Sequence, residues 1–514
     1  MLRRVGIPLP ERRMNEYSFQ LSGGLRQRAM IAMALSCGPR ILIADEPTTA
    51  LDVTTQAQIL DLMISLQQEE DMAIMLITHD LGVIAEMADY VVVMYLGRVV
   101  ESAPVDDIFH DPQHPYTQAL LQSIPRIQSE SSRGRLASIE GSVPHPYARP
   151  GGCPFNPRCP AAMPGDMTVE TPTAQNGERL IEINNLRKYF PIKQGLLRRE
   201  VSNIRAVDDV SFYIDEGETL GLVGESGCGK TTTARCILRA VDATSGEILF
   251  RSESGGIVDV ATAPRTQLRS LRKEMQMIFQ DPFSSLNPRM TLMDIVGEPL
   301  VISGVPKSER EDRVAELLRM VGLRPEFMRR FPHAFSGGQR QRIGIARAIA
   351  LNPRLIVADE PVSALDVSVQ AQVLNLMMDL QRELALTYLF IAHDLSVVKH
   401  ISDRIAVMYV GKLVEMAPTN ELFNSPKHPY TAALLSSVPE PDPRVRRNRA
   451  VLQGEVANPA NPPTGCYFNP RCEYAIDICR SETPQLREIA PNQYASCHRA
   501  EELNLAGALA NSGS

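Results

Sequence analysis

Apolar positions in this chain fall into short runs. Thr219–Val223 is an apolar run of strand length, followed by a glycine-rich loop and a helical run from Thr232 to Val241. Ile181 to Leu186 reads as a strand, and Tyr90 to Leu96 is also strand-sized. Leu355 to Ala358 runs into two acids, Asp359 and Glu360. Met320-Val321-Gly322 falls inside an amphipathic helical pattern. Strand–loop–helix order of this kind predicts an α/β fold with a parallel sheet, whose strands bring ligand groups to their carboxyl ends. No run approaches the ~18 apolar residues of a membrane helix. Met1-Leu2-Arg3-Arg4 has no apolar stretch behind it, so no signal peptide is expected.

The pattern repeats. Ser22-Gly23-Gly24 recurs as Ser336-Gly337-Gly338, Asp45-Glu46-Pro47 as Asp359-Glu360-Pro361, and Ala50-Leu51-Asp52 as Ala364-Leu365-Asp366, all at an offset of 314. His79-Asp80 and His114-Pro115-Tyr116-Thr117 recur at the same offset, and Phe155-Asn156-Pro157-Arg158-Cys159 recurs at 313. A single domain-sized period means a tandem domain, not a solenoid. Copy two begins near Leu180, whereas copy one lacks about 130 residues at its front by the same offset. Met1 falls where copy two is already inside its amphipathic helix. The expectation is therefore a truncated first domain over 1–125, an extension and linker over 126–180, a complete second domain over 181–440, and a cysteine-containing extension over 441–514. A real, shortened half that docks on the other copy is the alternative to a damaged or misread gene.

Composition changes little. With 514 residues, 53 Lys+Arg, 60 Asp+Glu and a net charge of −7, the chain is ordinary globular material, and nothing marks it as a nucleic-acid binder. Nine cysteines, unevenly spread, do not make a disulfide framework in a cytosolic chain.

The chemistry starts at Gly224-Glu225-Ser226-Gly227-Cys228-Gly229-Lys230-Thr231, which fits G-x-x-x-x-G-K-[ST] in its required strand–loop–helix setting. Its glycines let successive N–H groups face phosphates at a helix N-terminus. Lys230 is placed for the β/γ-phosphates and Thr231 for Mg²⁺, with Thr232 next in the helix. Asp359 fits as a Mg²⁺ partner and Glu360 as the base that polarises water.

With these in place, Phe335-Ser336-Gly337-Gly338-Gln339-Arg340-Gln341-Arg342 resembles the signature sequence of the ATP-binding-cassette (ABC) ATPases. Leu21-Ser22-Gly23-Gly24-Leu25-Arg26-Gln27-Arg28 is its twin, and each serine stands 23 residues ahead of its Asp-Glu. The resemblance implies P-loop NTPase ABC domains in tandem, each with a helical subdomain and a small C-terminal extension. It implies ATP and Mg²⁺, with Gln280 as the Q-loop glutamine, also touching Mg²⁺ or water, and His393 as the switch histidine. Asp366 is then the D-loop residue crossing to the facing half, and Phe190, or Tyr189 one register away, the aromatic stacked on adenine. ATP sites in the family are composite. The resemblance therefore sets Ser22, Gly23 and Gly24 of copy one opposite the P-loop of copy two. Ser336, Gly337 and Gly338 would face a P-loop this sequence lacks, and Glu46 and His79 would serve no nucleotide.

The His-Pro-Tyr-Thr segments and the Phe-Asn-Pro-Arg-Cys segments resemble the C-terminal extension of the oligopeptide/dipeptide importer ATPases, a branch that also handles nickel and glutathione. That implies two transmembrane permease subunits, an extracytoplasmic solute-binding protein, and a peripheral position on the cytoplasmic face of a bacterial inner membrane. Cys466, Cys472, Cys479 and Cys497 form a C-x5-C-x6-C-x17-C pattern with His498 nearby. Related importer ATPases hold a [4Fe–4S] cluster at similar cysteines; zinc and unligated thiols are the other readings. Copy one keeps only Cys153 and Cys159, so no cluster is expected there. Cys37, Cys228 and Cys236 read as packing or loop residues. The functional expectation is an ATPase that energises peptide import. An inactive or regulatory remnant and a soluble non-transport tandem ATPase are the alternatives.

Overall fold

The structure is a computed structural model. It describes residues 1–48, 51–125, 135–139, 141, 153, 155, 158–159, 178–194, 199–281, 284–439, 441–444, 454, 456–505 and 507. Most of the expected linker, 126–178, and Ala50 of the first D-loop lie outside these residues.

Copy one contributes strands β1 (Ile41–Asp45), β2 (Ala73–Ile77), β3 (Tyr90–Tyr95) and β4 (Arg98–Pro104). Copy two contributes β5 (Arg179–Gln194), β6 (Arg199–Asp215), β7 (Thr219–Val223), β8 (Ser245–Arg251), β9 (Ile257–Asp259) and β10 (Met275–Ile278). It continues with β11 (Leu355–Asp359), β12 (Thr387–Ile391), β13 (Arg404–Tyr409), β14 (Lys412–Pro418), β15 (Arg487–Ala490) and β16 (Gln493–Ala495).

An eight-stranded sheet in the order β10-β11-β12-β7-β13-β14-β16-β15 carries copy two. β10 through β13 pair in parallel, and β14 onward antiparallel. The unbroken apolar runs follow from this placement, because a central parallel strand is buried on both faces. Alternate residues of β11 enter different cores. Leu355 and Val357 pack with Ile181, Ile183 and Phe250 of the antiparallel sheet β6-β5-β8-β9, while Ile356 and Ala358 pack with Val314, Leu317 and Ile343 of the helical side.

One local expectation holds and lengthens, and two are corrected. The strand expected at Ile181–Leu186 is part of β5, which pairs with β6 as one long hairpin. The helix expected to reach Val241 runs Lys230–Ile237 and stops where Arg239 turns to φ +47°. Met320–Gly322 is the end of a helix, Lys307–Met320, not its interior. Gly322 follows at φ +71°, and its counterpart Gly6, at φ +69°, sits in a turn.

Copy one reproduces half of this scaffold. β1 pairs with β2 in the register of β11 with β12, and β3 with β4 in that of β13 with β14, down to the irregularity at Val93/Met94 and Val407/Met408. In copy two, β7 joins the two pairs. Among the described residues no strand joins them in copy one, and its sheet is split. The side chains on one face are left open: Ile43 is 64% exposed, against 0% for its twin Val357, and Met94 58% against 0% for Met408. Each exposed side chain of this size forgoes roughly 1.5–3 kcal/mol of burial.

The halves touch. Val53 enters the helical core of copy two. The backbone of Leu136 exchanges hydrogen bonds with the Asn375 amide (3.1 and 3.0 Å), and Gln372 donates to Ile139 O (2.5 Å). Among the described residues no helix is long and apolar enough to cross a membrane.

Candidate functional site

The phosphate-type loop is wedged between β13 and β6. A side chain at Gly224 (φ +146°) would place its Cβ 2.2 Å from Met408 O, and one at Gly229 (φ +110°) 2.2 Å from Ala206 O. Gly227 (φ +78°) has open space in front of it. Two glycines are therefore demanded by close backbone approach, and the third only by its φ.

Behind the loop, Lys230 is 7% exposed and its Nζ donates to Gly224 O (2.7 Å) and Glu225 O (3.1 Å). Thr231 Oγ1 donates to Asp359 Oδ1 (3.1 Å). Burial raises the Asp359 carboxyl above the ordinary range, and neighbouring Glu360 adds to this. A hydroxyl and a carboxylate side by side fit a hard divalent cation.

Glu360 follows β11 at φ +48°. Gln280 Nε2 donates to its Oε2 (2.8 Å), and His393 Nδ1 lies 3.3 Å from the same oxygen. Burial pushes the Glu360 carboxyl up, but His393, Lys230 and Gln280 outweigh it and the net direction is down. Burial alone lowers His393, yet Glu360 outweighs this and the imidazole is raised. The pair therefore favours carboxylate and imidazolium.

These groups surround a cavity of about 270 Å³. Ser226, Gly227, Gly229, Lys230, Thr231, Thr232, Gln280, Glu360 and His393 line it, together with Ile204, Ala206 and Pro459. Leu51 and Asp52 of copy one close one side. Gly224 and Glu225 are turned inward, and Cys228 is buried beneath Lys230 with its thiol pushed up by burial. Phe190 is exposed outside the lining with Lys188 Nζ 4.9 Å from its ring centre, whereas Ile204, its cross-strand partner, lines the cavity. The Tyr189 hydroxyl is committed to Asp208 (2.6 Å). Ser22, Gly23 and Gly24 are not among the lining residues. Ser22 caps the helix Gly23–Leu35, and a Cβ on Gly23 would lie 3.6 Å from Leu51, so the signature stands one layer behind the D-loop. The motifs do not point to Ile204, Ala206 or Pro459 as lining residues; for Asp52 the repeat does, since it is the twin of the D-loop residue Asp366.

Contacts between the halves are reciprocal. Burial raises the phenols of Tyr430 and Tyr116, and in each case the D-loop aspartate of the other half adds to the shift, Asp52 for Tyr430 and Asp366 for Tyr116. In copy one, His79 lies 3.2 Å from Glu46, repeating the His393–Glu360 pair.

All nine cysteines are free. Cys466, Cys472, Cys479 and Cys497 line one cavity of about 20 Å³ along with His428 and His498. Burial pushes Cys466 up to about 11 and Cys472 up to about 12. Among the described residues no three His, Cys, Asp or Glu side chains are arranged to hold a metal ion.

A buried lysine on a glycine loop, a Thr–Asp oxygen pair and a Gln–Glu–His cluster at the carboxyl ends of parallel strands define a P-loop ATPase whose site is closed by a second half. The family pattern described as "ABC transporter" matches residues 1–49 and 207–363, and "Oligopeptide/dipeptide transporter, C-terminal region" matches 100–165 and 414–479. The chain is 49% identical over 458 residues to the glutathione import ATP-binding protein GsiA of Escherichia coli O6:H1, covering 88% of this chain and 70% of that protein. It is equally similar to the protein of that name from Salmonella typhimurium, with 49% identity over 456 residues and the same coverage. A dimeric ATP-binding cassette in a post-hydrolysis state, bound to ADP and Pi, aligns with a TM-score of 0.41 at 29% identity, over 47% of this chain and 99% of that one. The chain belongs to the ABC transporter ATP-binding proteins, in the oligopeptide/dipeptide branch. It is an ATPase that uses ATP and Mg²⁺ to drive a transporter.

Proposed function

We propose that this chain energises import of di- or oligopeptides, or of glutathione-like solutes, by hydrolysing ATP in the cavity between copy two's P-loop and copy one's D-loop. The observation that carries this reading is the shared lining of that cavity: Lys230, Thr231, Gln280, Glu360 and His393 from one half, Asp52 from the other. Lys230 holds the β/γ-phosphates with the N–H groups of Ser226, Gly227 and Gly229. Thr231 and Asp359 would hold Mg²⁺, and Gln280 could reach the ion or its water. Glu360 polarises the attacking water, and His393 donates to the γ-phosphate and keeps Glu360 ionised. Ile204 offers an apolar flank for the base, and Phe190, on the same rung of the hairpin, would have to swing inward to stack on it. Closure of the halves brings Ser22, Gly23 and Gly24 past Leu51 onto the nucleotide. The chain acts with membrane permease components. We place it on two transmembrane permeases served by an extracytoplasmic solute-binding protein, at the cytoplasmic face of a bacterial inner membrane.

For the four thiols of the extension, a [4Fe–4S] cluster is proposed on donor chemistry alone: all four line one small cavity, but they are not drawn together into a metal-holding group in this structure. No step of hydrolysis is assigned to it. Iron and acid-labile sulfide assay of the anaerobically purified chain tests it; neither element above background refutes it.

The central test is Lys230→Ala in the whole chain. Titration with ATP and Mg²⁺ is expected to show nucleotide binding lost, and wild-type affinity in the variant would refute the assignment.

A further inference from the structure

Glu225 occupies the first variable position of the phosphate-type loop, where G-x-x-x-x-G-K-[ST] makes no demand on side-chain chemistry. It is nevertheless the most tightly held residue of the loop. Arg471, in the C-terminal extension, grips its carboxylate with two nitrogens, NH1 to Oε2 (2.8 Å) and NH2 to Oε1 (3.0 Å). Thr54 of copy one donates to Oε1 (2.6 Å). The Glu225 backbone N–H donates to the Tyr430 hydroxyl (2.9 Å), and its carbonyl accepts from Lys230 Nζ (3.1 Å). The Arg471 and Glu225 side chains are 3% and 2% exposed. A forked guanidinium–carboxylate pair fixes direction as well as distance. Here it ties the carbonyl that receives Lys230 to an element 246 residues away.

The guanidinium is itself mounted. Tyr409, Tyr430 and Phe468 pack at ring separations of 4.7, 5.3 and 5.4 Å, and Arg471 NH1 reaches the Tyr409 hydroxyl at 3.5 Å. Copy one builds the same mount from Tyr95, Tyr116 and Phe155 at 4.8, 5.5 and 5.2 Å. There the equivalent arginine, Arg158, donates to Tyr95 OH (3.3 Å) and Ile139 O (3.1 Å). The aromatic mount thus forms in both copies, and only in copy two does it meet a phosphate loop.

We propose that Arg471 and Tyr430 are positioning residues of the ATP site: the extension holds the phosphate loop in register through Glu225, and copy one bears on that same carboxylate through Thr54. The Phe-Asn-Pro-Arg-Cys and His-Pro-Tyr-Thr segments of the extension therefore act on nucleotide affinity without touching nucleotide. This rests on the assignment of the P-loop cavity as the ATP site.

The test is steady-state ATPase kinetics and thermal unfolding of the full chain carrying Arg471→Lys, which keeps the cation but loses the fork. The loop cradles phosphate in both ground and transition states, so its loss falls on KM. KM for ATP is expected to rise by roughly tenfold with kcat within about threefold. Arg158→Lys, the same change in the twin mount, is expected to leave KM unchanged. Arg471→Met is expected to be worse, because it strands a buried carboxylate, and adding Glu225→Gln is expected to recover most of the lost affinity. An unchanged KM in Arg471→Lys, or an equal rise in Arg158→Lys, overturns the proposal. If Arg471→Met fails to fold, the lysine pair decides alone. Nucleotide binding that survives Lys230→Ala would instead overturn the ATP-site reading, so the two failures are distinct.

Discussion

Glu360→Gln separates binding from turnover, and the duplicated chain supplies its own control. Glu360 receives Gln280 Nε2 at 2.8 Å and faces His393 at 3.3 Å, with its side chain 17% exposed. The amide keeps the shape but removes the charge that raises the His393 imidazole and the basicity that polarises water. A positioned general base contributes about 10²–10⁴-fold, or roughly 3–5 kcal/mol of barrier. Turnover is expected to fall by that factor while ATP affinity stays within about threefold, since Lys230 and the loop N–H groups remain. The matched change is Glu46→Gln. Glu46 has its own histidine at 3.2 Å, but its side chain is 45% exposed and no phosphate-type loop lies before it among the described residues. Turnover in Glu46→Gln is expected to match wild type. Phosphate release under saturating ATP, read beside equilibrium nucleotide binding, measures both. Ordinary turnover in Glu360→Gln would remove that residue from the role.

Three other changes have defined outcomes. Gly229→Ala should abolish nucleotide binding, because its Cβ meets Ala206 O at 2.2 Å, while Gly227→Ala, with open space, should cost only the roughly 1–2 kcal/mol of a left-handed backbone; binding curves for the two decide. Ser22→Arg and Ser336→Arg each remove a helix cap worth about 1 kcal/mol, but the first should depress ATPase activity more; equal losses would argue against the cross-facing arrangement. Burial raises the Glu415 carboxyl from 4.5 to about 7. Between those values the folded chain holds a proton that the unfolded chain has released, so stability should fall as pH rises through that window, by on the order of 3 kcal/mol. Glu415→Gln should flatten the plot of Tm against pH, and an unaltered slope would assign the titration elsewhere.

Local and periodic signals were legible in the sequence. β7, the glycine loop and β11 appear in the chain where their apolar runs stand, because a central strand buried on both faces tolerates little else. The constant offset exposed the duplication before any geometry was known. What escaped was long-range and individual. Nothing local marks Glu225 as the partner of Arg471, since an ion pair across 246 residues has no period. The family motif points to Ser22 but not to Leu51 and Asp52, which line the cavity, because the seating of one half on the other rests on tertiary contacts such as Thr54 with Glu225 and Val53 in the helical core. Phe190 and Ile204 share a rung of the β5–β6 hairpin, and which of them reaches the cavity depends on hairpin curvature that alternation alone does not encode.

The split sheet of copy one bears on how the chain behaves in solution. β2 and β3 each have one neighbour in the structure, and their other edges present rows of backbone N–H and C=O groups with no strand partner among the described residues. Open edges template the addition of any extended segment, and here they flank apolar side chains such as Ile77 and Val92. An extended segment laid between β2 and β3 would close the sheet of copy one as β7 closes that of copy two.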